Sequence, residues 1–596
     1  MNNNSALSTQ HSQLKIHFLG IGGTGVSQLA NFFIKLTPCY NLTGSNIEKN
    51  ERTEILKDKV KISIPHNDKI ISTKTILVIY SPAIPENNEE FVKAKNLKTP
   101  IVEFTNVLRL LADLYFHKKE PDIKEYDCTK NEILFLKKLF RQWDNDEILN
   151  AIKESNILPL FDIDYSKEKY IAVTGTDGKT TTSNMIYHIL KEAGNKVGLI
   201  STINAKIGYK NTEKSFDTGL HTTTPAPEQL KDMILKLKKE NCTHIIIEVT
   251  SHGIAMQRVT GLKFDSVIFT NITKEHLDYH KTWENYAFTK TRLITSHLKP
   301  NATIIYNHDN SDSDKYISQV INQKEVNFIT YCHCDDNDKA DITAQIAHRE
   351  NAFEIPLTIN ISKELRTHLP IRQAKNSELR TKLIMIGEYN VQNFLGALGA
   401  IVSLNEDIVK AIKSIQYFPQ LKGRMNIIQK KPFMIIVDFA HTPNALEQAL
   451  KSLNSLPHNK IHVVFGCAGL RDRYKRPAMG KIADDYADNI YLTAEDPRTE
   501  KLIDINKAIL EGMSGYEEQE KINKNCTLYK TNKNKTVYSF TEDSVKSRED
   551  AIRKAIENAK EGDIIISTGK GHEQSLCFGR TEYHWDDTNA IERIIK

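Results

Sequence analysis

The chain has 596 residues, of which 40% are hydrophobic and 26% are charged. This length is too great for one hydrophobic core and indicates three or four domains, at roughly 100 to 200 residues per domain. The 80 Lys and Arg residues against 75 Asp and Glu leave a net charge of only +5, without a concentrated basic tail, so composition does not indicate nucleic-acid binding.

Membrane insertion and export are not indicated either. No apolar run approaches the roughly eighteen residues that a membrane-spanning helix needs. The first residues, MNNNSALSTQHSQLK, lack both the basic start and the apolar stretch of a secretory signal. We therefore expect a cytoplasmic protein without membrane or nucleic-acid partners.

Residues 1–111 alternate strand-like and helical stretches, which predicts a small Rossmann-like βαβ domain. Its first strand runs into GIGGTGVS, where Gly20, Gly22 and Gly25 have the G-x-G-x-x-G spacing. Taken alone, this motif predicts a dinucleotide oxidoreductase, because such glycines let the backbone approach a diphosphate. The acidic residue expected after the second strand is not evident, since LTGSN places Ser45 and an asparagine there.

Residues 112–168 differ in composition from the segments around them. They are charged and helical in pattern (EILFLKKLFRQWDNDEILNAIKE), and they contain neither glycine nor a recognisable motif. We expect a helical connector or insertion, to which the sequence assigns no role.

Residues 169–418 contain short β-rich runs, which predict a central parallel sheet domain of the P-loop ATPase type, covered by helices on both faces. In VTGTDGKTTT a strand ends at a glycine-containing turn, and Lys179 and Thr180 begin a helix. The N–H groups of such a turn can bind phosphate, with Lys179 neutralising the outer phosphates and Thr180 reaching Mg²⁺. Val173 stands where the first glycine of the consensus belongs, so a tight turn with a solvent-facing lysine is the alternative.

Two further polar residues follow strands of this central sheet. Glu248 closes HIIIEVTSH, and His276 follows VIFTNITKEH. Open parallel sheets bind ligands at these carboxyl ends. Because Mg²⁺ prefers oxygen ligands, Glu248 is the natural metal ligand of the two, whereas His276 taken alone is more typical of a hydrogen-bonded loop residue.

Residues 419–596 repeat the alternation of strand and helix and predict a C-terminal Rossmann-like α/β domain. The fold class is thus α/β, with three such domains in series. The polar stretch YKTNKNKTVYSFTEDSVKSRED, residues 529–550, is expected to be an exposed loop.

Ten ordered motifs over some 430 residues resemble the Mur ligases, the ATP-dependent amino-acid ligases of peptidoglycan precursor synthesis. They are GTDGKTTT, HTTTPAP, EVTSHGIAMQRV, FTNITKEHLDYH, ENYAFTKTRL, IGEYNVQN, GRM, VDFAHTPNAL, RDRYKRPAMGKIA and GKGHE. Within the family, residues 169–596 most resemble the third ligase, which extends UDP-N-acetylmuramoyl-L-alanyl-D-glutamate by a diamino acid.

The resemblance implies a reaction in which ATP phosphorylates the side-chain carboxylate of the D-glutamate. The amine then attacks the acyl phosphate, and phosphate leaves from a tetrahedral intermediate. Two anions meet in the first step, so cations are needed. By similarity they are Lys179 and the Mg²⁺ held by Thr180, Glu248 and His276, while Lys290 matches a lysine that the family carbamylates with CO₂ to organise magnesium.

The resemblance also implies an ATP site that combines the phosphate loop with residues from later motifs. Its members are Gly175, Thr176, Asp177, Gly178, Lys179, Thr180, Thr181, Asn390, Asn393, Arg424 and Asp438. For Asp438, an ordinary role in a turn at a strand end is the alternative.

The UDP-muramoyl peptide is assigned to a second set of residues. They are Gly20, Gly22, Gly23, Gly25, Ser45, Ser81, Thr223, Thr224, Ser251 and Arg258. Hydroxyls and an arginine suit the carboxylates and phosphates of this substrate. GIGGTGVS and SPAIPENN resemble the UDP-binding domain of the first Mur ligase, which joins L-alanine to UDP-N-acetylmuramate, so the chain has the character of a hybrid.

The incoming amino acid is assigned to a third set, by similarity to ligases that add meso-diaminopimelate. Its members are Arg471, Asp496, Pro497, Arg498, Gly569 and Glu573. In the D-N-P-R motif of those ligases the arginine binds the distal carboxylate, which lysine lacks, so Arg498 favours diaminopimelate. Glu573 is expected to pair with the distal ammonium.

The sequence departs from the family pattern at several positions. The first two residues of D-N-P-R are replaced by Glu495 and Asp496, Ala468 and Leu470 interrupt a C-G-G-D-R-D motif, and Glu275 replaces an aspartate. An extra methylene at Glu495 could move or resize the amino-acid pocket.

Several alternatives therefore stay open. They are a lysine-adding ligase, an L-alanine-adding or peptide-recycling ligase, a non-catalytic UDP-sugar-binding module and a nicotinamide oxidoreductase. Intact Lys179, Glu248, His276 and Lys290 argue against an idle module, and EDPR with GKGHE argues against alanine addition. We expect a monomer that acts on small molecules.

Overall fold

The computed structural model describes most of the chain. The described residues are 14–36, 40–116, 126, 128–216, 223–324, 326–334, 336, 339–349, 353–367 and 379–596. Residues 1–13, the first two residues of the HTTTPAP motif and part of the segment 112–168 lie outside these residues.

Helices account for a large part of the described residues. The α-helices are α1 (Thr24–Lys35), α2 (Glu51–Leu56), α3 (Glu89–Asn96), α4 (Phe104–Leu111), α5 (Lys130–Phe140), α6 (Asn145–Ser155), α7 (Lys179–Glu192), α8 (Pro227–Lys239), α9 (Ser251–Ala255), α10 (Leu277–His280), α11 (Trp283–Ser296), α12 (Ser311–Lys324), α13 (Lys363–Thr367), α14 (Tyr389–Ser403), α15 (Ile408–Ser414), α16 (Pro443–Asn454), α17 (Lys475–Tyr486), α18 (Leu502–Leu510), α19 (Lys546–Asn558) and α20 (Asp587–Ile595). Short 3₁₀ segments cover Asp68–Ile70, Pro159–Asp162 and Ile415–Tyr417, and a π-helical turn covers Ala112–Phe116.

The strands form three main sheets and one small hairpin. They are β1 (Lys15–Leu19), β2 (Asn41–Ser45), β3 (Lys61–Ser63), β4 (Thr75–Tyr80), β5 (Ile101–Glu103), β6 (Lys169–Thr174), β7 (Val197–Ile200), β8 (Ala205–Tyr209), β9 (Thr212–Phe216), β10 (His244–Glu248), β11 (Phe264–Phe269), β12 (Leu298–Asn307), β13 (Asn327–Cys332), β14 (Ile342–Ile346), β15 (Glu354–Ile361), β16 (Leu379–Ile384), β17 (Asn426–Gln429), β18 (Met434–Val437), β19 (Ile461–Phe465), β20 (Asn489–Leu492), β21 (Tyr516–Asn523), β22 (Cys526–Thr531), β23 (Thr536–Phe540), β24 (Ile564–Ser567), β25 (Ser575–Phe578) and β26 (Thr581–His584).

The chain forms two compact units. The first contains residues 1–166, 225–235 and 252–263, and the second contains 167–224, 236–251 and 264–596. The four segments inferred from the sequence, 1–111, 112–168, 169–418 and 419–596, stay a prediction.

The first unit is built on a five-stranded parallel sheet in the order β3-β2-β1-β4-β5. The central strand β1 is an apolar run that is buried from its second residue onward, as expected for a strand covered on both faces. The strand order of the sheet reverses between β1 and β4, and open α/β sheets bind ligands at such a point. This architecture confirms the Rossmann-like domain predicted for this part of the chain.

The helices predicted between the first two domains pack into the core of the first unit. Helix α5 begins at a capping box of Thr129 and Glu132, and its apolar face is buried. The Phe140 ring lies 6.3 Å from that of Phe32 and 6.2 Å from that of Phe33. These helices are therefore part of the hydrophobic core of the first unit.

The second unit contains the two remaining large sheets. The first has eleven strands in the order β16-β15-β14-β13-β12-β11-β6-β10-β7-β8-β9. The strands from β14 to β7 are parallel, and antiparallel strands extend the sheet at both edges. The predicted parallel sheet forms the centre of this sheet, and the antiparallel edge strands, such as β9 and β15 with their partly exposed faces, were not predicted.

The other sheet has eight strands in the order β17-β18-β24-β19-β20-β23-β22-β21, with a parallel centre from β18 to β23. The prediction of an exposed loop over residues 529–550 was wrong. This stretch forms the end of β22, all of β23 and the start of α19, and Val537 and Phe540 are buried. The α/β fold class, with three successive sheets, is confirmed.

Among the helices of the described residues, none is long and apolar enough to cross a membrane.

Candidate active site

The phosphate loop lies between β6 and α7, at the carboxyl edge of the central sheet. Gly175 and Gly178 have φ values of +147° and +84°, which disfavour any residue with a Cβ. A Cβ on Gly175 would collide with the Thr270 hydroxyl, and one on Gly178 would collide with the Asn393 side chain. Both glycines predicted in the ATP site are therefore required by the backbone and by their neighbours.

The loop is fixed by hydrogen bonds to the end of the neighbouring strand β11. The backbone N–H of Thr176 donates to the carbonyl of Asn271 (2.9 Å), and that of Asp177 donates to the Asn271 side chain (3.0 Å). The Thr270 hydroxyl donates to the Asp177 carbonyl (2.6 Å). Thr270 and Asn271 were missed by the sequence analysis, although their position directly after a parallel strand could have indicated them.

Two lysines place their charge-bearing groups over this loop. Lys179 Nζ donates to the carbonyls of Gly175 (3.1 Å) and Thr176 (2.7 Å). Lys290 Nζ, on α11, donates to the same Gly175 carbonyl (2.7 Å) and lies 4.7 Å from the centre of the Tyr286 ring. The structure therefore brings together two of the four residues predicted to be catalytic.

Lys290 lies in an unusual environment for a lysine, because its side chain is only 1% exposed. Burial, together with the nearby charge of Lys179, holds the pKa of Lys290 well below its ordinary value. An uncharged amine has a free lone pair, which a carbamylation reaction requires. The structure shows why this lysine differs from the solvated helix residue that composition alone would suggest.

Glu248 ends β10 beside the first turn of α7 and is fully buried. The hydroxyls of Thr180 and Thr202 donate to its Oε2, at 3.1 and 2.8 Å. Its Oε1 has no hydrogen-bond partner among the described residues. Burial raises the pKa of Glu248. A cation at the unpartnered oxygen would lower this pKa again, because it stabilises the charged carboxylate.

The donor set at this point fits a magnesium ion. Mg²⁺ prefers oxygen ligands, and the site offers the Glu248 carboxylate and the hydroxyls of Thr180 and Thr202. Thr202 was missed by the sequence analysis, although it follows the adjacent parallel strand β7. Among the described residues, no three His, Cys, Asp or Glu side chains form a metal-binding group.

His276 precedes α10 and has a φ of +54°, and its side chain is 39% exposed. Its Nε2 lies 3.5 Å from Glu275, whose carboxylate is also 3.7 Å from His441. No contact between His276 and Glu248 is found within the described part of the chain. The role of His276 as a metal ligand stays a prediction.

The two asparagines predicted near the adenine lie on α14, behind the phosphate loop. Asn393 donates to Asn390 (3.0 Å), and Asn390 donates to the carbonyl of Ile386 (2.8 Å). The Thr182 hydroxyl donates weakly to Asn393, at 3.4 Å. Thr181, another predicted residue, is buried in the first turn of α7.

Arg424 extends from the chain just before β17 to the phosphate loop. Its Nη2 donates to the Thr180 hydroxyl (3.1 Å), and its guanidinium lies 4.7 Å from the centre of the Phe439 ring. Asp438 accepts the backbone N–H groups of Met425 (2.6 Å) and Ala440 (2.8 Å), so it fixes the turn that carries Arg424. This turn role was the alternative considered for Asp438.

Two of the predicted amino-acid residues contact a buried lysine that the sequence analysis missed. Lys570 donates to Asp496 (2.9 Å) and forms an ion pair with Glu573 (2.6 Å). Arg498 donates to the Gly469 carbonyl (2.9 Å), and its φ is +55°. Lys570 lies between the two glycines of the GKGHE motif and could have been recognised there.

The other predicted residues of this set differ in their surroundings. Pro497 is buried, and its carbonyl lies against Gly469. Gly569 has a φ of +96°, and a Cβ there would lie 3.1 Å from Cγ of Glu495. Arg471 is exposed, and its side chain has no hydrogen bond or ion pair within the described residues.

Glu495 is a buried carboxylate beside this cluster. Its Oε2 has no hydrogen-bond partner among the described residues. Burial raises the pKa of Glu495 to about 7, against the charges of Lys475 and Lys570. Glu495, one of the residues that depart from the family pattern, thus changes its protonation state near neutral pH.

In the first unit, the glycine loop follows β1. Gly20 has a φ of +78°, and its backbone N–H donates to the Ser45 carbonyl (2.9 Å). A Cβ on Gly22 would collide with Asn46 and Asn50, and one on Gly25 would collide with Phe104. A Cβ on Gly23 would only touch the Gly20 carbonyl at 3.4 Å, and one on Gly20 would lie 3.2 Å from Ser81.

The remaining predicted substrate residues belong to two different units. Thr224 accepts the backbone N–H of Thr250 (3.0 Å) and is buried, and Thr223 is half-buried. Ser251 is buried at the start of α9. In the first unit, the backbone N–H of Arg258 donates to the carbonyl of Gly253 (2.8 Å).

Comparison with protein families gives three matches along the chain. A model described as the Mur ligase family, catalytic domain, matches residues 15–116. A model of the Mur ligase middle domain matches residues 173–401, and a model of the Mur ligase glutamate ligase domain matches residues 423–571.

Similar proteins carry the same description. A UDP-N-acetylmuramoyl-L-alanyl-D-glutamate--2,6-diaminopimelate ligase of Clostridium botulinum is 35% identical over 432 residues, which cover 72% of this chain and 78% of the relative. A protein of the same description from Bacillus velezensis is 31% identical over 432 residues, with 71% and 78% covered. Among solved structures, a MurF ligase of Thermotoga maritima in complex with ADP is 14% identical, with 93% and 94% covered and a TM-score of 0.50, which shows similarity of fold alone.

Proposed function

Because the chain belongs to the Mur ligase family, we propose that it is an ATP-dependent, ADP-forming ligase that adds a diamino acid to UDP-N-acetylmuramoyl-L-alanyl-D-glutamate. The descriptions of the similar proteins name 2,6-diaminopimelate, and we take the diamino acid to be its meso form. The observation that carries the proposal is an arrangement of side chains at the phosphate loop that can hold a nucleoside triphosphate against a carboxylate substrate. These side chains are Lys179, Thr180, Glu248 and Arg424.

The first chemical step joins two anions, and the loop residues can lower its barrier. A carboxylate oxygen of the D-glutamate attacks the γ-phosphorus of ATP, and ADP leaves. Lys179 and Arg424 offset the charge that develops between the phosphates and the carboxylate. The ATP site further comprises the loop residues 175–181, with Asn390 and Asn393 towards the adenine.

Mg²⁺ would be held by Thr180, Glu248 and His276 together with phosphate oxygens. When bound, it supplies charge neutralisation and orients the phosphates for in-line transfer. The unpartnered, buried Oε1 of Glu248 supports this assignment, because an ion there would compensate its burial.

Lys290 is proposed to react with CO₂. The neutral amine attacks the carbon of CO₂ and loses a proton to water, which gives an N-carboxylate with two oxygens. The group changes from a nitrogen donor to an anionic oxygen donor, of the type that Mg²⁺ prefers. The burial of Lys290 and the lowering of its pKa support this step, since both favour the amine over the ammonium.

The second step is attack of the incoming amine on the acyl phosphate, with departure of phosphate. Arg498 would bind the distal carboxylate of diaminopimelate, and Glu573 its distal ammonium. Arg471 and Gly569 would complete the pocket. Lys570 keeps Asp496 and Glu573 in place, because it bonds to both of them.

The remaining parts of the proposal concern the whole protein. The segment 1–111 would bind the UDP handle through Gly20, Gly22, Gly23, Gly25, Ser45 and Ser81, and Thr223, Thr224, Ser251 and Arg258 would bind the muramoyl peptide. The partners are small molecules and the protein acts as a monomer in the cytoplasm.

Phosphate release with each amine tests the proposal. The chain is incubated with ATP, Mg²⁺ and the UDP-muramoyl dipeptide, and with diaminopimelate, lysine, ornithine or alanine in parallel. Only diaminopimelate should sustain rapid release, and omission of the dipeptide should abolish it. Turnover with alanine and UDP-N-acetylmuramate alone would instead support the L-alanine-adding ligase, which the glycine loop of the first unit favours.

The Arg498→Ala variant tests the assignment of the amino acid. Loss of a bidentate contact to a carboxylate should raise the KM for diaminopimelate by about tenfold or more, with the KM for ATP unchanged. Arg593→Ala is the matched control. Arg593 is exposed, and its ion pair with Glu549 is long, at 4.0 Å. An equal rise in the KM for diaminopimelate and in the KM for ATP in Arg498→Ala would contradict the proposed role.

A further inference from the structure

A polar cluster lies beneath the carboxyl edge of the sheet in the first unit. We call it the His66 cluster, and it consists of His17, Thr43, Ser45, His66 and Glu90. All of these residues except His66 have relative exposures of 2% or less. Buried polar groups of this kind are costly unless each donor meets an acceptor, so their hydrogen bonds can be assigned one by one.

The Glu90 carboxylate accepts three hydrogen bonds. The donors are His17 Nε2 (3.0 Å), the Ser45 hydroxyl (2.5 Å) and the backbone N–H of Asn67 (2.5 Å). Burial alone would raise the pKa of Glu90, but the hydrogen bonds from His17 and Ser45 bring it below its ordinary value. Glu90 is therefore a charged acceptor at neutral pH.

The state of Glu90 determines which nitrogen of His66 carries the proton. The Ser45 hydroxyl has a single proton, and it donates that proton to Glu90. His66 Nδ1, which lies 2.8 Å from the Ser45 oxygen, must then be the donor of the contact between them. Burial lowers the pKa of His66, so its ring is neutral and its Nε2 is a hydrogen-bond acceptor.

This acceptor is unused within the protein. His66 Nε2 is buried and has no hydrogen-bond partner among the described residues. The ring itself lies just beneath the surface, since its side chain is 12% exposed and the adjoining Pro65 and Asn67 are exposed. A cluster that fixes one tautomer and leaves its acceptor unpaired is suited to receiving a donor from a ligand.

The position of His66 indicates which part of a ligand it would meet. Ser45, which fixes His66 through its hydroxyl, accepts the N–H groups of Gly20 (2.9 Å) and Ile21 (3.0 Å) through its carbonyl. The glycine loop follows β1, whereas His66 follows β3, two strands away in the order β3-β2-β1-β4-β5. A nucleotide with its diphosphate at the loop therefore extends its nucleoside over β2 towards His66.

We infer that His66 is a specificity-determining residue, whose Nε2 accepts a hydrogen bond from the uridine of the substrate's UDP group. The inference rests on the proposed function, because it takes the ligand of this unit to be UDP-linked. Uridine offers a donor at N3–H of the base and further donors at the ribose hydroxyls. Ser45 and Glu90 act as positioning residues, since they set the tautomer.

Binding of UDP to the full chain tests this inference by calorimetry. His66→Ala should bind UDP about tenfold more weakly than the unchanged chain, the effect of one hydrogen bond left unmade. His66→Gln, which keeps a side-chain acceptor, should recover part of the affinity. His584→Ala is the control, because His584 is exposed on β26, and ADP binding should be unchanged in every variant.

UDP analogues identify the donor and separate contact from folding. The analogues are 3-methyl-UDP, which lacks N3–H, and 2′-deoxy- and 3′-deoxy-UDP, which each lack one hydroxyl. The analogue without the relevant donor should bind the unchanged chain about tenfold more weakly, yet bind His66→Ala no more weakly than UDP does. A merely structural role of His66 would give the same analogue losses in both proteins and would overturn the inference.

The same measurements distinguish failure of the inference from failure of the proposed function. Equal affinity of the unchanged chain and His66→Ala for UDP would overturn the role of His66 and leave the UDP-linked substrate intact. If the unchanged chain does not bind UDP at all, the assignment of the UDP group to this unit is wrong, and the inference is wrong with it.

Discussion

At the scale of single residues, the site depends on charged groups that are buried without full compensation. Glu248, Lys290 and Glu495 each have little exposure, and burial shifts the pKa of each towards its neutral form. Isolated in a core, such groups would be destabilising. Their positions at the phosphate loop and the amino-acid cluster indicate that ligands, and not the protein alone, complete their environment.

Glu495 allows a prediction about pH, because burial raises its pKa from 4.5 to about 7. Between these values the folded state binds more protons than the unfolded state, so the contribution of Glu495 to stability falls as pH rises. Glu495→Gln removes this dependence. The free energy of unfolding of the variant, relative to that of the unchanged chain, should rise by up to about 3 kcal/mol from pH 5 to pH 8, as measured by denaturant unfolding.

Glu517→Gln is the control for this measurement, because Glu517 is an exposed residue on β21. Its stability difference from the unchanged chain should stay constant with pH. A constant difference for Glu495→Gln as well would show that Glu495 does not take up a proton in this range.

At the scale of elements, the phosphate loop depends on backbone that only glycine adopts easily. Gly178 has a φ of +84°, and a Cβ there would collide with the Asn393 side chain. Gly178→Ala should therefore displace the start of α7 and lower the affinity for ADP by at least about tenfold, because the N–H groups of this turn would bind the phosphates. Calorimetric titration with ADP measures the effect.

Gly194→Ala at the other end of α7 separates backbone strain from steric collision. Gly194 also has a positive φ, +96°, but nothing lies within 4 Å of a Cβ there. This variant should lose some stability and keep its affinity for ADP. Equal loss of ADP affinity in both variants would mean that the contact with Asn393 is not the cause.

The elements also show what the sequence could predict. β10 was predicted from HIIIE, because a continuous apolar run is typical of a strand buried on both faces. β21 and β23 were missed, since the glutamates of β21 are exposed at a sheet edge and β23 lies within a polar stretch. β23 lies between β20 and β22, and its pairing with the distant strand β20 overrides its local composition, whereas β21 is an edge strand that pairs with the adjoining β22.

The candidate site divides in the same way. Lys179, Thr180 and Glu248 could be named because each stands at the end of a predicted strand or the start of a predicted helix. Thr202 and Lys570 have recognisable positions in the sequence, but their contacts with Glu248 and Asp496 join distant residues and have no local signature. The unpaired acceptor of His66 depends on a chain of hydrogen bonds and has no signature in the sequence.

At the scale of the whole molecule, the described residues from 128 to 166 are part of the first compact unit and contribute to its core. Phe140 is fully buried on α5, with its ring close to those of Phe32 and Phe33. The sequence suggested a connector because this segment has no motif. Its apolar face shows that the stability of the first unit depends on it.

Phe140→Ala tests that dependence. Truncation of a fully buried phenylalanine costs roughly 3 to 5 kcal/mol, since it removes apolar contacts and leaves a cavity. The variant should destabilise the first unit and lower the melting temperature of the transition that UDP stabilises. The melting temperature of the transition that ADP stabilises should stay unchanged. Leu134→Ala on the same helix is the control, because Leu134 is 50% exposed, and it should change neither transition measurably. If Phe140→Ala lowers both transitions equally, the two units unfold together and α5 supports the whole chain.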